Sequence, residues 1–348
     1  MTSRRRTRSA LPVCFALDLR HIAAYSGIDD ASDAFGIDRA TLEDPEGTVP
    51  ITVYYDALER AAAHSGRSHF GFHFALHWTK IARDGFGSMQ FLMMSSPSLR
   101  VACERLLQYQ HYWNPAECYE LAPAEQQVGI RYQCWGPPRP AHVHQAERTA
   151  ALIALVARSV DPQCKVLQVA FPHASQSDDA KLTRLFGVAP TYGAPWTEVI
   201  LPAVVMDRPL PRANPALFEL MDRYVRRQIA VQPRSDPSFT SQVFAVVQRR
   251  LHERDMSQDL VAKSIGCGIR TLARRLAEEG TTLREIVDAV RKGRAEALLE
   301  SNITIAEVAF LLGYSEPAGF QHAFRRWHGM SPKAWRERGT GPAAAEAS

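Results

Sequence analysis

Arginine-rich segments near the carboxy terminus carry the side chains of this 348-residue chain that could do chemistry. One segment contains Arg270, Arg274 and Arg275, and another contains Arg325 and Arg326. A guanidinium group can donate two hydrogen bonds to guanine, or it can bind the phosphates of a nucleic acid backbone. Because Arg270 and Arg274 are four residues apart, a helix would place both on one face. The two segments therefore predict a nucleic-acid-binding surface.

Both segments belong to a unit that occurs twice. Residues 260–282 and 305–332 each have the pattern of a short helix, a glycine and a second amphipathic helix. Gly266 and Gly313 stand where a chain leaving a helix needs a positive φ. The apolar residues on either side of each glycine can pack on one another, which predicts two helix-turn-helix motifs.

The second helix of each unit divides its residues between a buried and an exposed face. We expect Ile269, Leu272 and Leu276 to pack inward in the first unit, and Phe320 and Phe324 in the second. The residues predicted to read bases are Arg270, Thr271, Arg274, Gln321 and His322, and those predicted to bind the DNA backbone are Arg275, Arg325, Arg326 and Lys333.

A further helix is predicted between the two units, at residues 283–300. Eighteen residues in a helix span about 27 Å, against roughly 34 Å for one turn of DNA. The two outward-facing helices could therefore enter successive major grooves from one side of the duplex. The same periodicity also fits a plain helical bundle whose arginines are only solvated.

The composition is that of an ordinary folded protein, with 46% apolar and 22% charged residues. The net charge is only +4, and residues 239–348 hold 16 lysines and arginines against 13 acidic residues, so any basic surface is local. Six cysteines without a C-x-x-C pair are typical of reduced thiols. The sequence contains no stretch of about 18 apolar residues that would predict a membrane span. Its start resembles a signal peptide, but the apolar run at residues 10–17 is short and is cut off by Asp18. We therefore expect a cytoplasmic protein.

Helical and strand patterns alternate in the first two thirds of the chain. Helices are predicted at 49–66, 96–113, 142–160, 177–187 and from Pro215 onward, and strands at 124–135, 164–173 and 197–206. Ser96 and Pro97 suit the start of the second of these helices. This order predicts a mixed α/β (α+β) fold, followed from Ser241 to Arg338 by an all-α domain.

Residues 303–336, ITIAEVAFLLGYSEPAGFQHAFRRWHGMSPKAWR, resemble the carboxy-terminal motif of AraC/XylS-type transcription regulators. The segment from Leu260 to Leu299 is similar to the first helix-turn-helix and the linker helix of that family. The amino-terminal segments HFGFHFALHW and GFGSMQFLMMSSPSLRVACERLLQYQ resemble, less specifically, the arabinose-binding-type effector domain of one AraC branch.

The resemblance implies a DNA-binding regulator whose partners are promoter DNA, a small-molecule effector and a second copy of the chain, with RNA polymerase as a further partner. No cofactor or metal is expected from the residues. Activation of transcription is the expected mode, and the sequence leaves repression open as the alternative. The expected division is 1–206 for effector sensing and dimerisation, 207–238 for a connecting helix and linker, 239–338 for the double helix-turn-helix domain and 339–348 for a disordered tail.

The family contacts bases from the outer faces of both second helices. By position, the resemblance adds Ala273 to the base-reading residues of the first unit. In the second unit Pro317, Ala318 and Gly319 replace residues that are often polar in the family, and they can make few directional bonds. We therefore expect the first unit to supply most of the direct readout.

Other residues suggest alternatives that the sequence leaves open. His73 and His77 would share a helix face and could ligate zinc, but an apolar setting also fits core or pocket-wall residues. His142 and His144 could ligate a metal ion in an extended segment, but they open a predicted helix, where side chains two residues apart diverge. An enzyme would need a nucleophile such as Cys118, Cys134 or Cys164, none of which lies in an activating motif. An effector-independent architectural protein is the remaining alternative.

Overall fold

The computed structural model of the chain describes residues 13–16, 18–81, 87–114, 117–134, 138–176, 179–194, 196–231, 239–251, 256–279, 281–300 and 303–339. The amino-terminal part combines helices with small antiparallel sheets, and the carboxy-terminal part is helical, so the predicted fold class is confirmed. Within these ranges, every helix is too short or too polar to span a membrane.

Helices dominate the first lobe. They are α1 (Leu19–Ser26), α2 (Ala31–Phe35), α3 (Arg39–Glu43), α4 (Ile51–Ser65) and α5 (Phe70–Ile81), accompanied by a short antiparallel pair of β1 (Val13–Phe15) and β2 (Thr48–Pro50). Their common core includes the fully buried rings of Tyr55, Phe70 and Phe74. The predicted helix at 49–66 is α4, which ends at Gly66 with a φ of 62°.

An antiparallel sheet with the order β3-β4-β6-β5 forms the second lobe. Its strands are β3 (Glu117–Pro123), β4 (Gln127–Cys134), β5 (Gln168–Ala170) and β6 (Thr197–Pro202), and the helices around it are α7 (Leu99–Trp113), α8 (Pro140–Val160) and α9 (Ala180–Phe186). A stripe of alanines that includes Ala146, Ala150 and Ala154 lies buried on α8. Small side chains let α8 lie close to α5 and to the sheet.

The start of α7 differs from the prediction. Ser98, not Ser96, is the N-cap residue, and its side chain accepts a hydrogen bond from the N–H of Val101. Ser96 is fully buried and donates instead to the carbonyl of Leu92 at 2.8 Å. This bond holds the end of the preceding helix, α6 (Gly87–Ser95), so Ser96 is not available to cap α7.

α10 (Pro215–Val231), predicted as a helix from Pro215, packs against α6 and α7. Val225 is fully buried there, and the hydroxyl of Tyr109 donates to Asp222 at 2.7 Å. The described part of this helix therefore lies on the amino-terminal lobes. The domain boundaries given above stay a prediction, and residues 232–238 and 340–348 lie outside the described residues.

Helices alone form the described carboxy-terminal part. They are α11 (Phe239–Arg250), α12 (Gln258–Ile265), α13 (Ile269–Glu278), α14 (Leu283–Glu300), α15 (Ile305–Leu311), α16 (Pro317–His328) and α17 (Pro332–Gly339). They share one hydrophobic core, to which α14 contributes the buried Ile286, Val290 and Leu299. α14 thus joins the α12–α13 and α15–α16 pairs into a single body.

Candidate nucleic-acid interface and ligand cleft

The first helix-turn-helix unit consists of α12, a tight turn and α13. Ser257 accepts a hydrogen bond from the N–H of Leu260 at the start of α12, and Gly266 ends this helix with a φ of 73°. α13 buries Leu272 and Leu276, each only 1% exposed, in the shared core. This burial fixes the rotation of α13 and decides which of its side chains face solvent.

The solvent face of α13 carries Arg270, Ala273 and Arg274, which are exposed, while Thr271 is half-buried. Ile269 is 42% exposed, so the prediction that it packs inward is wrong. It is the first residue of α13. Its side chain points in the same direction around the helix as Leu272 and Leu276, but it lies beyond the end of the hydrophobic core. An apolar side chain therefore stands beside the two arginines.

Arg274 and Arg275 of α13 differ in what holds them. Arg274 lies 2.6 Å from Glu278, and the two side chains are 64% and 59% exposed. Such an exposed pair contributes about 0–1 kcal/mol, so Arg274 can exchange this partner for a base. The guanidinium of Arg275 lies 4.0 Å from the ring centre of Phe239, where it packs against α11. Its predicted phosphate contact stays a prediction.

The second unit consists of α15, its turn and α16. A capping box between Thr304 and Glu307 starts α15, and Gly313 turns the chain with a φ of 73°. Phe320 and Phe324 are fully buried, as predicted. The predicted contact residues Gln321, His322, Arg325 and Arg326 are exposed, as are Ala318 and Gly319 near the start of α16.

Two of the predicted backbone contacts in this region already have acidic partners. Arg326 donates to Asp288 of α14 at 2.8 Å, with side chains 53% and 29% exposed. Lys333, on α17, is 78% exposed and lies 3.9 Å from Glu337. The Arg326 pair attaches α16 to α14, and it still leaves half of the arginine side chain open to solvent.

Arg291 of α14 was not predicted to matter, yet it braces the second unit. Its Nε donates to the carbonyl of Leu312 at 3.0 Å, and its Nη2 donates to that of Gly313 at 3.2 Å. Its guanidinium also lies 4.3 Å from the ring centre of Tyr314. These partners are more than twenty residues away along the chain, so no local pattern marks Arg291.

α14 also touches the amino-terminal lobes. Arg294 donates from Nε to the carbonyl of Gly193 at 3.3 Å, and desolvation lowers the pKa of this guanidinium to about 10. A Cβ atom added to Gly193 would lie 2.8 Å from Leu298, and the φ of 73° at this position also favours glycine. The loop before β6 and the helix between the two units are therefore in close contact.

A cleft of about 430 Å³ opens in the amino-terminal part between α1, the α4–α5 junction and α9, and we call it the α1–α5–α9 cleft. It is lined by Tyr25, Gly66, Arg67, Ser68, His73 and Lys181. The guanidinium of Arg67 lies 4.7 Å from the ring centre of Tyr25. The cleft thus combines cationic side chains with an aromatic face.

A buried histidine–carboxylate pair lies directly behind this cleft. His69 is fully buried with a left-handed φ of 53°, a conformation that costs a non-glycine residue on the order of 1 kcal/mol or more. Its Nδ1 lies 2.7 Å from Glu147, and its Nε2 lies 3.8 Å from Asp179. Desolvation raises the pKa of Glu147, and the proximity of His69 opposes that rise. Asp179 in turn accepts a hydrogen bond from the hydroxyl of Tyr192 at 2.7 Å.

The histidine pairs singled out in the sequence have separate settings. His73 lines the cleft, and His77 packs on Tyr25 with ring centres 4.7 Å apart. His142 packs on Tyr55, and desolvation lowers the pKa of His144 to about 4. The described part of the chain brings no three His, Cys, Asp or Glu side chains into a group that could hold a metal ion.

Two of the three cysteines of the enzymatic alternative, Cys134 and Cys164, do not have the character of nucleophiles. Burial raises the pKa of both Cys134 and Cys164, which favours the unreactive thiol. Cys118 is half-buried on β3. An activated cysteine needs the opposite shift, so none of these observations supports nucleophilic catalysis.

The chain matches two family profiles, one in the amino-terminal part of the fold and one in the carboxy-terminal part. Residues 27–210 match the family profile described as the arabinose-binding domain of AraC transcription regulator, N-terminal, and residues 261–338 match a helix-turn-helix domain profile. The first match spans more than half of the chain. The chain belongs to the AraC family of transcription regulators. It is a sequence-specific DNA-binding regulator whose amino-terminal domain is of the ligand-binding type.

Several AraC-type relatives resemble the chain over nearly its whole length. The ornithine utilization regulator of Pseudomonas aeruginosa is 25% identical over 335 residues, which cover 95% of this chain and 97% of the relative. The regulator VirS of Mycobacterium tuberculosis is 25% identical over 92% of this chain and 90% of its own. The crystal structure of CdpR from Pseudomonas aeruginosa aligns with 92% of this chain and 96% of its own, at 22% identity and a TM-score of 0.42.

Proposed function

We propose that this AraC-family regulator responds to a small-molecule effector bound by its amino-terminal domain and acts on promoter DNA as a homodimer. The contact between Gly193 and Arg294 carries the proposal, because it joins the ligand-type domain to the helix between the two DNA-binding units. An effector can change DNA affinity only if it binds the two states of the protein unequally. A contact that differs between two states would supply that inequality.

The proposed roles on DNA follow from which side chains of α13 and α16 are exposed. Arg270, Ala273 and Arg274 would read bases from α13, and Arg325 and Arg326 would hold the backbone from α16. Thr271, Gln321 and His322 remain base-reading predictions, as Arg275 and Lys333 remain backbone-contact predictions. Activation through RNA polymerase in the cytoplasm is the expected mode. The name of the full-length relative from Pseudomonas aeruginosa, which refers to ornithine utilisation, supports a response to a small metabolite.

Thermal unfolding of the full-length protein with a panel of metabolites tests effector binding. A ligand at 100 times its Kd should stabilise the folded state by about 2.7 kcal/mol. Operator affinity is then measured with and without the stabilising compound. A protein that no metabolite stabilises, and whose DNA affinity never changes, would support the effector-independent alternative.

The route of the signal is tested with Arg294→Gln. This variant should still be stabilised by the effector and should still bind operator DNA, but the effector should no longer change its DNA affinity. Arg284→Gln is the matched control, because Arg284 is exposed on the same helix. An effect of the ligand that survives unchanged in Arg294→Gln would remove the Gly193–Arg294 contact from the route.

A further inference from the structure

The side chains that line the α1–α5–α9 cleft and carry a fixed charge, Arg67 and Lys181, are both cationic, and the carboxylates of Glu147 and Asp179 lie behind it. Arg67, His73 and Lys181 line the cleft, and none of its six lining residues is acidic. The pKa of the neighbouring His77 is lowered, first by desolvation and then by the charges of Lys80 and Arg67, as expected where the local potential is positive. A ligand with a negative group would meet favourable charges here.

The cleft also has a size and an apolar surface suited to a small organic molecule. Its volume of about 430 Å³ lies near the lower end of the range of roughly 300–1,000 Å³ found for small-molecule sites. The ring of Tyr25 forms one wall and is supported by Phe74 and His77, with ring centres 5.6 Å and 4.7 Å away. A supported ring keeps its place when a ligand packs against it.

We propose that the effector is a small organic acid, whose carboxylate or phosphate binds Arg67 and Lys181 and whose short apolar body packs on Tyr25. This inference rests on the proposed function, since it names the chemistry and the place of the effector.

Lys181 connects the cleft to the DNA-binding part. It lies in the first turn of α9, two residues after Asp179. Asp179 accepts a hydrogen bond from the hydroxyl of Tyr192 at 2.7 Å. Gly193, which follows Tyr192 in the sequence, accepts the hydrogen bond from Arg294 of α14. A ligand that draws Lys181 into the cleft would move α9 and, through this short series of contacts, the loop that touches α14.

The opposite wall of the cleft leads to the same carboxylate. Ser68 lines the cleft, and the next residue is the buried His69 with its left-handed backbone. The imidazole of His69 lies between Glu147 at 2.7 Å and Asp179 at 3.8 Å. Contacts from both walls of the cleft therefore reach Asp179, so a ligand that binds both walls would affect this residue from two sides.

Thermal unfolding of the full-length protein at constant ionic strength tests the ligand class. The probes are benzoate and butanoate as acids, benzamide and butylamine as neutral and cationic counterparts, and inorganic phosphate as an anion without an apolar body. We expect an acid to raise the unfolding temperature and its uncharged or cationic counterpart to leave it unchanged. A shift with phosphate alone, a shift with butylamine, or no shift with either acid would overturn the proposal.

Substitutions locate the site. Because a hydrogen bond to a charged group contributes about 1.5–3 kcal/mol, Arg67→Ala and Lys181→Ala should each weaken binding of the active acid by roughly 10- to 100-fold. Arg60→Ala and Arg184→Ala remove exposed charges from α4 and α9 outside the cleft and should bind as the wild type does. If all four variants bound the acid with the same affinity as one another, the assignment of the site to this cleft would be overturned.

The outcome for the ligand class is separate from the outcome for the proposed function. A neutral or cationic metabolite that stabilises the protein and changes its DNA affinity would confirm an effector-responsive regulator and contradict the organic acid. An acid that binds the cleft without changing DNA affinity in any variant would confirm the site and contradict its role as an effector site.

Discussion

The two helix-turn-helix units share an architecture but offer different side chains to DNA. α13 presents arginines beside Ile269 and Ala273, whereas α16 begins with the half-buried Pro317 and the exposed Ala318 and Gly319. The two units share the position of the protruding helix and not its chemistry. We therefore expect the first unit to discriminate between sequences and the second unit to act mainly as a backbone anchor.

The units also differ in how they are held. α16 is attached to α14 by the Arg326–Asp288 ion pair, and its turn is braced by Arg291. The outer side of α13 is instead supported by Arg275 stacked on Phe239 of α11. An anchor gains from such bracing, because a fixed backbone contact sets the position of the base-reading helix beside it.

The largest expected effect comes from the core of the second unit. Phe324 is fully buried, with its ring centre 4.3 Å from that of His328 and 5.8 Å from that of Trp335. Phe324→Ala should lower the free energy of unfolding by about 3–5 kcal/mol, measured by denaturant titration. Phe324→Leu should cost much less. A loss below about 1 kcal/mol in the alanine variant would mean that the aromatic core does not hold this unit.

Direct readout by the first unit is tested with Arg274→Ala. Loss of one bidentate base contact should cost about 1–3 kcal/mol on the cognate operator and relax the preference at one base pair. Gln321→Ala in the second unit should cost less. Competition binding with single-base operator variants gives both values, and an equal loss on random DNA would reject the base-reading role of Arg274.

Backbone anchoring by the second unit is tested with Arg326→Ala. The variant should bind all sequences more weakly, and the slope of log K against log salt should flatten by about 0.9 for one lost phosphate contact. Lys263→Ala is the control, because Lys263 is exposed on α12 and paired with Asp259. An unchanged slope would remove Arg326 from the phosphate contacts.

The smallest expected effect concerns Ile269, whose exposed side chain at the start of α13 suits the methyl group of thymine. Replacing a contacted thymine by deoxyuridine removes one methyl group and should cost about 0.8 kcal/mol with the wild-type protein. The same replacement should cost almost nothing with Ile269→Ala. Equal losses in both proteins at every thymine would contradict the methyl contact.

The sequence predicts the helical part well because its signals are local. Gly266 and Gly313 mark the turns, and residues such as Leu272, Leu276 and Phe320 repeat at the spacing of a buried face. Ile269 follows the same spacing and is nevertheless exposed, since periodicity gives a direction around a helix and not the place where the core ends.

The amino-terminal part was harder to predict because its elements are short or lack alternation. β4 was expected from its regular pattern, whereas most residues of its neighbour β3 are half-buried on both faces. The strand predicted at 164–173 is reduced to the three residues of β5, because only that stretch pairs with β6. The α1–α5–α9 cleft draws on Tyr25, Arg67 and Lys181, whose separation along the chain leaves no motif.

The positions of Arg291 and Arg294 on α14 have a consequence for promoter architecture. They lie three residues apart, so one turn of α14 donates hydrogen bonds both to the loop around Gly193 and to the carbonyls at the end of α15. Adding one base pair between two half-sites rotates one against the other by about 35°. A metabolite that repositions this turn would thus change the tolerated spacer length, and promoters that differ only in spacing would switch at different metabolite concentrations.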